Sequence, residues 1–266
     1  MREFDRDPVA RTSLLWLFPL VGGLLPFAAT IAAFALYNTL FTGHVCNPFV
    51  DGCVSISRTA RYGVANHLFR ILMLPAAALQ ALTWVLCSYW LSDIGAVRDR
   101  ALRILPWLGV ASALLLGVYA TLLGTPGQPY SLARRYGIPT YFVGTYLCMV
   151  ITATIISRFE GPTSTTVPAR FQRLLFLLAL FMTGAGLVQI GVRPFIVEKS
   201  LRGRLTNVLE WNTGLAFTVF FTVLAYLWYH TRFSVQPATA GRRTLAAGSA
   251  GGEPAGELLQ VRRRTQ

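Results

Sequence analysis

Four ionisable residues stand at the ends of apolar stretches, where a charged side chain is a functional-site hypothesis by default. His67 and Arg70 are three residues apart, so a helix places both on one face. Arg193 ends one apolar stretch and Glu210 begins another. A guanidinium in such a setting binds a carboxylate or a phosphate in bidentate geometry. The set predicts either ion pairs that satisfy one another or a lipid-headgroup site, in which Glu210 pairs with one arginine and the other binds phosphate.

A catalytic interpretation of the same region is the alternative. His67 would act as a base, Ser57 as a nucleophile and Arg70 as a phosphate clamp, in acyl or headgroup transfer on a membrane lipid. The sequence offers no acidic residue to orient His67, and it lacks the HExxH, GxSxG and Walker patterns. We therefore assign no catalytic residue, favour a protein that is not an enzyme, and expect no cofactor.

Two cysteines lie close together in a turn-forming segment. Cys46 and Cys53 flank residues 47–52, which include Asn, Pro, Asp and Gly, so the chain can fold back and bring the two sulfurs together. We predict a disulfide, which also requires an oxidising compartment. A metal site with His44 and Asp51 is the rival, but the spacing lacks the CxxC element typical of zinc sites. We expect no metal.

The elements that must position these residues follow from the composition. Of the 266 residues, 54% are hydrophobic and only 13% are charged, about half of the charged share of a soluble domain. The apolar residues form six blocks of roughly twenty, the length that crosses a hydrocarbon layer as a helix. We predict an all-α, polytopic membrane protein with a six-helix bundle over 1–232, whose helices cover about 14–37, 67–91, 104–123, 138–156, 174–192 and 211–229.

Charge distribution predicts the orientation. Arginine and lysine are more frequent in the segments that face the cytoplasm if both termini are inside, which favours an N-in, C-in topology. The net charge of +13 lies in short loops and the tail, between the apolar blocks. That placement fits anionic lipid headgroups, so we expect membrane lipids as partners and no nucleic acid. An integral, multi-pass protein is predicted, in the plasma (inner) membrane if the chain is bacterial.

Three connecting segments differ in character. Residues 38–66 form the longest connection, on the outer side in this topology. Residues 194–209 carry apolar residues at helical spacing, which indicates either a helix lying on the membrane surface or an extension of the sixth span that packs on the first loop. Residues 233–266 are rich in Ala, Gly, Ser and Thr and predict a disordered cytoplasmic tail. The aromatic residues at the span ends, Tyr89-Trp90, Trp211 and Trp228-Tyr229, are predicted as interfacial anchors, with chance placement as the alternative for any one of them.

Short motifs near the span ends resemble a known family. The chain resembles the FRAG/DRAM/SFK family, membrane proteins with a CWH-type N-terminal domain, over about 13–232, through the pairs Ile56-Ser57, Phe69-Arg70 and Glu210-Trp211. The resemblance implies six membrane helices and lipid-linked or regulatory work, with no established reaction. Members often follow the Ile-Ser pair with an acidic residue and a glycine, whereas this chain has Arg58-Thr59-Ala60.

The functional prediction follows from these features. We expect a non-enzymatic membrane protein that binds or organises lipids through a polar site in the outer leaflet. A membrane-embedded lipid-remodelling enzyme is the alternative. A transporter or channel ranks last, because a conduction path needs polar residues at mid-membrane depth and Gln80 is nearly alone there.

Overall fold

The computed structural model describes residues 14–42, 46–96, 100–158 and 167–235. Within these ranges the chain is helical, and six helices are long and apolar enough to cross a membrane. The predicted all-α bundle of six spanning helices is therefore confirmed. The helices are α1 (Leu17–Tyr37), the single turn α2 (Ile56–Thr59), α3 (Gly63–Leu91), α4 (Ala101–Leu122), α5 (Gln128–Arg158), α6 (Ala169–Leu187) and α7 (Lys199–His230). Turns of π-helix extend α1, α3 and α6 at their C-terminal ends, over Asn38–Thr42, Ser92–Ala96 and Val188–Val192.

Two helices begin well before the apolar blocks that predicted them. Helix α5 starts at Gln128 and α7 at Lys199, whereas the blocks start at 138 and 211. An apolar block marks only the part of a helix that lies in hydrocarbon, and the helix continues where its polar side chains meet headgroups or water. Of the two alternatives for 194–209, the structure has the extension of the last span, because α7 is continuous.

The spanning helices pack in an order close to their order in the chain. Helix α3 packs against α1 and α4, α4 packs against α5, and α7 packs against α1. Helix α6 makes lighter contacts with α5 and α7 and buries the smallest share of any span. The bundle is thus tight around α1, α3, α4 and α7 and loose beside α6.

Glycines allow the tight contacts. A Cβ on Gly109 of α4 would overlap the Trp84 side chain of α3, and one on Gly144 of α5 would overlap the Ser112 hydroxyl of α4. In lipid, helices gain little hydrophobic energy from each other, so close backbone approach and van der Waals packing provide much of the attraction. Trp84 itself is fully buried.

A proline creates the main polar contact inside the bundle. Pro26 in α1 has no N–H, so the carbonyl of Gly22, four residues earlier, loses its helical donor. The Gln80 side chain of α3 supplies that donor through an Nε2 to Gly22 O bond of 2.9 Å. Tyr141 of α5 then donates to Gln80 Oε1 at 3.1 Å. One glutamine therefore links three helices, as expected where no water reaches the backbone.

The aromatic residues at the span ends divide into two groups. Trp90, Trp211 and Trp228 are each 1% exposed and pack inside the bundle, so the prediction of interfacial anchors was wrong for them. Tyr89 and Tyr229 are exposed, and for these two it stays a prediction. Position along a block sets the depth of a residue but not the face of the helix it occupies. Phe233, at the start of the predicted tail, is also buried, with its ring 5.1 Å from that of Trp228. The tail beyond Val235 lies outside the described residues.

Replacing Gly109 with alanine should weaken the α3–α4 contact. The added methyl group meets the first side-chain carbon of Trp84, which cannot swing away, so we expect a loss of about 1–3 kcal/mol and a lower Tm in detergent. Gly117, in the same helix, is the matched control, because its added Cβ would lie 3.9 Å from Ala77. Equal Tm values for Gly109→Ala and Gly117→Ala would contradict the packing described.

Gln80→Leu should destabilise the bundle less when Pro26 is replaced by alanine. In the Pro26→Ala background a backbone N–H again reaches Gly22 O, so that carbonyl no longer depends on Gln80. We expect a loss of about 1–2 kcal/mol in the parent protein and a clearly smaller loss in the variant. The Tyr141 bond is lost in both backgrounds and cancels in the double-mutant cycle. Detergent unfolding measures the four stabilities, and a cycle that closes with no coupling would refute the link.

Candidate functional site

The segment after α1 folds into a small loop closed by two cysteines. The sulfurs of Cys46 and Cys53 lie within bonding distance, and their Cα atoms are 6.6 Å apart. Asp51 accepts the backbone N–H of Asn47 through Oδ2 at 2.8 Å, which closes the same turn. His44 lies outside the described residues. We call residues 46–53 the disulfide loop, and we call the end of the bundle that carries it the disulfide end.

Helix α7 holds this loop through bonds from its side chains to loop carbonyls. Three side chains in the N-terminal half of α7 donate these bonds, two to the loop and one to the residue that follows it: Asn207 Nδ2 to Gly52 O at 2.8 Å, Asn212 Nδ2 to Phe49 O at 2.9 Å and Trp211 Nε1 to Val54 O at 2.9 Å. The carbonyls of an irregular segment have no helical partners, so side chains must satisfy them where they are buried. The N-terminal extension of α7 thus forms the support of the loop.

Gly52 permits this close approach. Its φ is +60°, a left-handed conformation that favours glycine, and a Cβ there would overlap the backbone of Arg204 in α7. The loop and α7 are therefore in direct backbone contact at this point.

Glu210 anchors the next segment. Its half-buried carboxylate interacts with the backbone N–H groups of Ile56 and Ser57, which open α2. These N–H groups have no partner within the helix, and a carboxylate matches both their hydrogen-bonding need and their partial positive charge. Ser55 is the N-cap residue, and its Oγ accepts the N–H of Arg58 at 3.3 Å. Two of the motif pairs, Ile56-Ser57 and Glu210-Trp211, thus lie side by side.

Arg70 has a different role from the one its sequence position suggests. Its Nη2 donates to Leu123 O at 2.5 Å, and Asn66 Nδ2, one turn earlier in α3, donates to the same oxygen at 3.0 Å. Leu123 follows the last residue of α4, where carbonyls lack helical donors. Asn66 also donates to Ala60 O at 2.9 Å. Arg70 therefore caps α4, while His67, three residues before it, is exposed.

A large cavity opens between α5, α6 and α7. Its volume is about 1150 Å³. Apolar side chains form its walls, chiefly Phe142, Val143, Leu147, Met182 and Leu187. Polar side chains line it at the disulfide end: Ser57, Arg61, Gln128, Ser131, Arg193, Thr206 and Glu210. Along α5 the lining runs from Gln128 to Leu147, about 28 Å at 1.5 Å per residue. The cavity is therefore long. Its charged side chains lie at the disulfide end, and the polar groups towards the other end are the hydroxyls of Tyr146 and Thr183, which are paired with each other.

Two arginines bring positive charge to the polar end. Arg61 is half-buried, and its Nε is shielded from solvent without a hydrogen-bond partner in the described part of the chain. Arg193 is exposed at the end of the π turn that follows α6. Glu210 is the acidic residue of the lining, and its carboxylate interacts with the N–H groups of Ile56 and Ser57 at the start of α2.

A second, smaller cavity lies in the centre of the bundle. It has a volume of about 70 Å³, and Phe69, Gln80 and Trp211 are among its lining residues. Four residues line both cavities: Tyr119, Ile138, Phe142 and Glu210. These side chains form the partition between the two spaces, and Glu210 is the charged member of it.

The structure thus divides the residues proposed from sequence into three groups. Ser57, Arg193 and Glu210 line the large cavity, whereas Ile56, Phe69 and Trp211 join Glu210 around the small one, and His67 and Arg70 line neither.

Arg61 was absent from the sequence-based set, where it counted only as a loop charge. The available signal was its spacing of four residues after Ser57, since both residues line the large cavity.

Comparison of the chain with protein-family models, with curated proteins and with solved structures finds no match.

Removing the Glu210 carboxylate should loosen the segment that it anchors. Glu210→Ala leaves the N–H groups of Ile56 and Ser57 without their acceptor, a loss of about 1.5–3 kcal/mol for charge-assisted bonds. We expect hydrogen exchange of peptides covering 54–60 to accelerate roughly tenfold or more. Glu198→Ala, an exposed acidic residue at the same end, is the control. Unchanged exchange in Glu210→Ala would show that the carboxylate does not hold α2.

Proposed function

We propose that this protein binds a membrane lipid in the large cavity and acts by holding or presenting it, without catalysing a reaction. The observation that carries the proposal is the distribution of side chains along the cavity. Arg61, Arg193 and Glu210 gather at one end, and mainly hydrocarbon side chains of α5 and α6 line the rest, together with the hydroxyls of Tyr146 and Thr183, which bond to each other. A lipid has the same arrangement, a polar headgroup joined to apolar chains.

The physical basis of such binding differs from that of a water-soluble carrier. Acyl chains are already in hydrocarbon, so moving them against Phe142 or Met182 gains packing but little hydrophobic free energy. Affinity and selectivity must therefore come from contacts to the headgroup. The arginines at the polar end supply charge-assisted donors for that purpose.

The loose packing of α6 supports lateral access from the bilayer. This helix buries the smallest share of any span and makes only light contacts with α5 and α7. Tyr146 and Thr183 join α5 to α6 by a hydroxyl bond of 2.6 Å beside the cavity. A lipid chain can enter between helices that few contacts hold together.

The topology and the family resemblance agree with this proposal. An N-in, C-in arrangement would put the disulfide end on the outer side, where thiols oxidise and where the Cys46–Cys53 pair belongs. In a bacterium that side is the periplasmic face of the inner membrane. The resemblance to the FRAG/DRAM/SFK family, which implies lipid-linked or regulatory work, rests on the pairs Ile56-Ser57, Phe69-Arg70 and Glu210-Trp211 and is consistent with the same proposal.

The alternative of a lipid-remodelling enzyme draws no support from the geometry. Ser57 lines the large cavity, but His67 is exposed and lines neither cavity. The proposed base and nucleophile therefore do not share a site.

Filling the cavity should expel the lipid. Gly186 lines the cavity, and no atom lies within 4 Å of a Cβ built there, so Gly186→Phe adds a ring without a backbone clash. We expect the variant to retain clearly less lipid per protein after purification in mild detergent, measured by native mass spectrometry.

Gly184→Phe is the matched control, because Gly184 is equally open but does not line the cavity. Equal lipid retention by the two variants, both monodisperse, would show that the cavity is not the binding site.

A further inference from the structure

We infer that the large cavity selects a phospholipid whose headgroup carries a net negative charge, with Arg61 binding its phosphate and Arg193 facing it at the mouth. The inference rests on the proposed function, because it names the class of lipid for the same cavity. It depends on the charges at the disulfide end and on the unmet hydrogen-bonding capacity of one arginine.

The acidic side chains described at the disulfide end are already engaged. Asp51 accepts the N–H of Asn47 at 2.8 Å, and Glu198 bonds to the hydroxyl of Ser200. Glu210 interacts with the first N–H groups of α2. Basic residues at the same end are more numerous, and the described ones are Arg58, Arg61, Arg70, Arg193, Lys199, Arg202 and Arg204. The surroundings of the cavity mouth are therefore electropositive, which favours an anionic headgroup over a neutral one.

Arg61 is the cation best placed to bind inside the cavity. Its Nε is buried and lacks a partner in the described chain, a costly state for a charged donor. Its backbone is fixed, because its carbonyl packs against Gly124, whose φ of +85° and lack of Cβ permit the contact. A guanidinium on a backbone held in this way, with an unmet donor at the charged end of the cavity, matches a phosphate oxygen.

The neutral side chains at this end add a preference within phospholipids. The hydroxyls of Thr206 and Ser131 donate to the carbonyls of Arg202 and Gln128 in their own helices, at 2.8 and 2.7 Å. Their oxygens therefore remain as acceptors in the cavity lining. A headgroup with hydroxyl donors, such as phosphoglycerol, satisfies them, whereas a trimethylammonium group has no N–H or O–H to offer.

A competition experiment tests the inference on the full-length protein. Equal amounts of phosphatidylglycerol and phosphatidylcholine with identical chains are offered in mixed micelles, and native mass spectrometry counts each bound lipid. We expect the wild type to prefer phosphatidylglycerol and Arg61→Gln to reduce that preference roughly fivefold or more, as loss of one charge-assisted contact implies. Arg61→Lys, which keeps the charge but not the fork of donors, should retain part of it.

Arg58→Gln is the matched control, since Arg58 is exposed at the same end and does not line the cavity. An equal loss of preference in Arg58→Gln and Arg61→Gln would overturn the inference in favour of general surface potential. Lipid binding by the wild type with no headgroup preference would overturn it and leave the proposed function standing. No bound lipid of either kind would overturn both. Binding of glycerol 3-phosphate alone as tightly as phosphatidylglycerol would also overturn it, by showing a site for soluble phosphate.

Discussion

Backbone polar groups in a membrane must find partners without water, and in this chain the helices leave several of them unpaired. Pro26 has no N–H to donate to the carbonyl of Gly22, and the side chain of Gln80 donates to that carbonyl instead. The carbonyl of Leu123, just after α4, accepts hydrogen bonds from both Asn66 and Arg70. Side chains of α7 meet the carbonyls of the disulfide loop. Most of the polar contacts between helices described above therefore join a side-chain donor to a backbone carbonyl that lacks a helical partner. These contacts determine how the elements assemble.

This constraint also separates structural polar residues from those available to a ligand. Arg70 and Glu210 are both ionisable residues near the ends of spans, and each has a backbone partner, although the Nε of Arg70 is buried without one. Arg61 also has a buried Nε without a partner in the described chain, and of these two arginines it is the one that lines the large cavity. The tight contacts of α1, α3, α4 and α7 form a firm scaffold, and the lightly packed α6 borders the space left over. The tightest helix contacts and the large cavity therefore lie mostly in different parts of the bundle, and α7 belongs to both.

The sequence predicted the six spans well because a run of twenty apolar residues has one stable solution in a membrane. It placed Arg70, Arg193 and Glu210 at a common end correctly, since depth follows from position along a span. It could not show that Arg70 donates a hydrogen bond to the carbonyl of Leu123 after α4, because that contact depends on which helices are neighbours in the bundle. The buried faces of Trp90 and Trp228 were missed for the same reason. The motif pairs named Ile56, Ser57 and Glu210 but did not indicate that Glu210 contacts α2, and an arginine partner was predicted for Glu210 instead. The cavity arises from the absence of packing, for which a single sequence has no signal.

Glu210 borders both cavities and at the same time holds the start of α2, next to the disulfide loop. A molecule that filled the large cavity would border the group that interacts with the start of α2. If occupancy of the cavity changed the order of this segment, the effect would be reciprocal. A partner that bound the disulfide loop would then change the affinity of the cavity by the same factor by which the cavity's occupant changed the affinity of the loop for that partner.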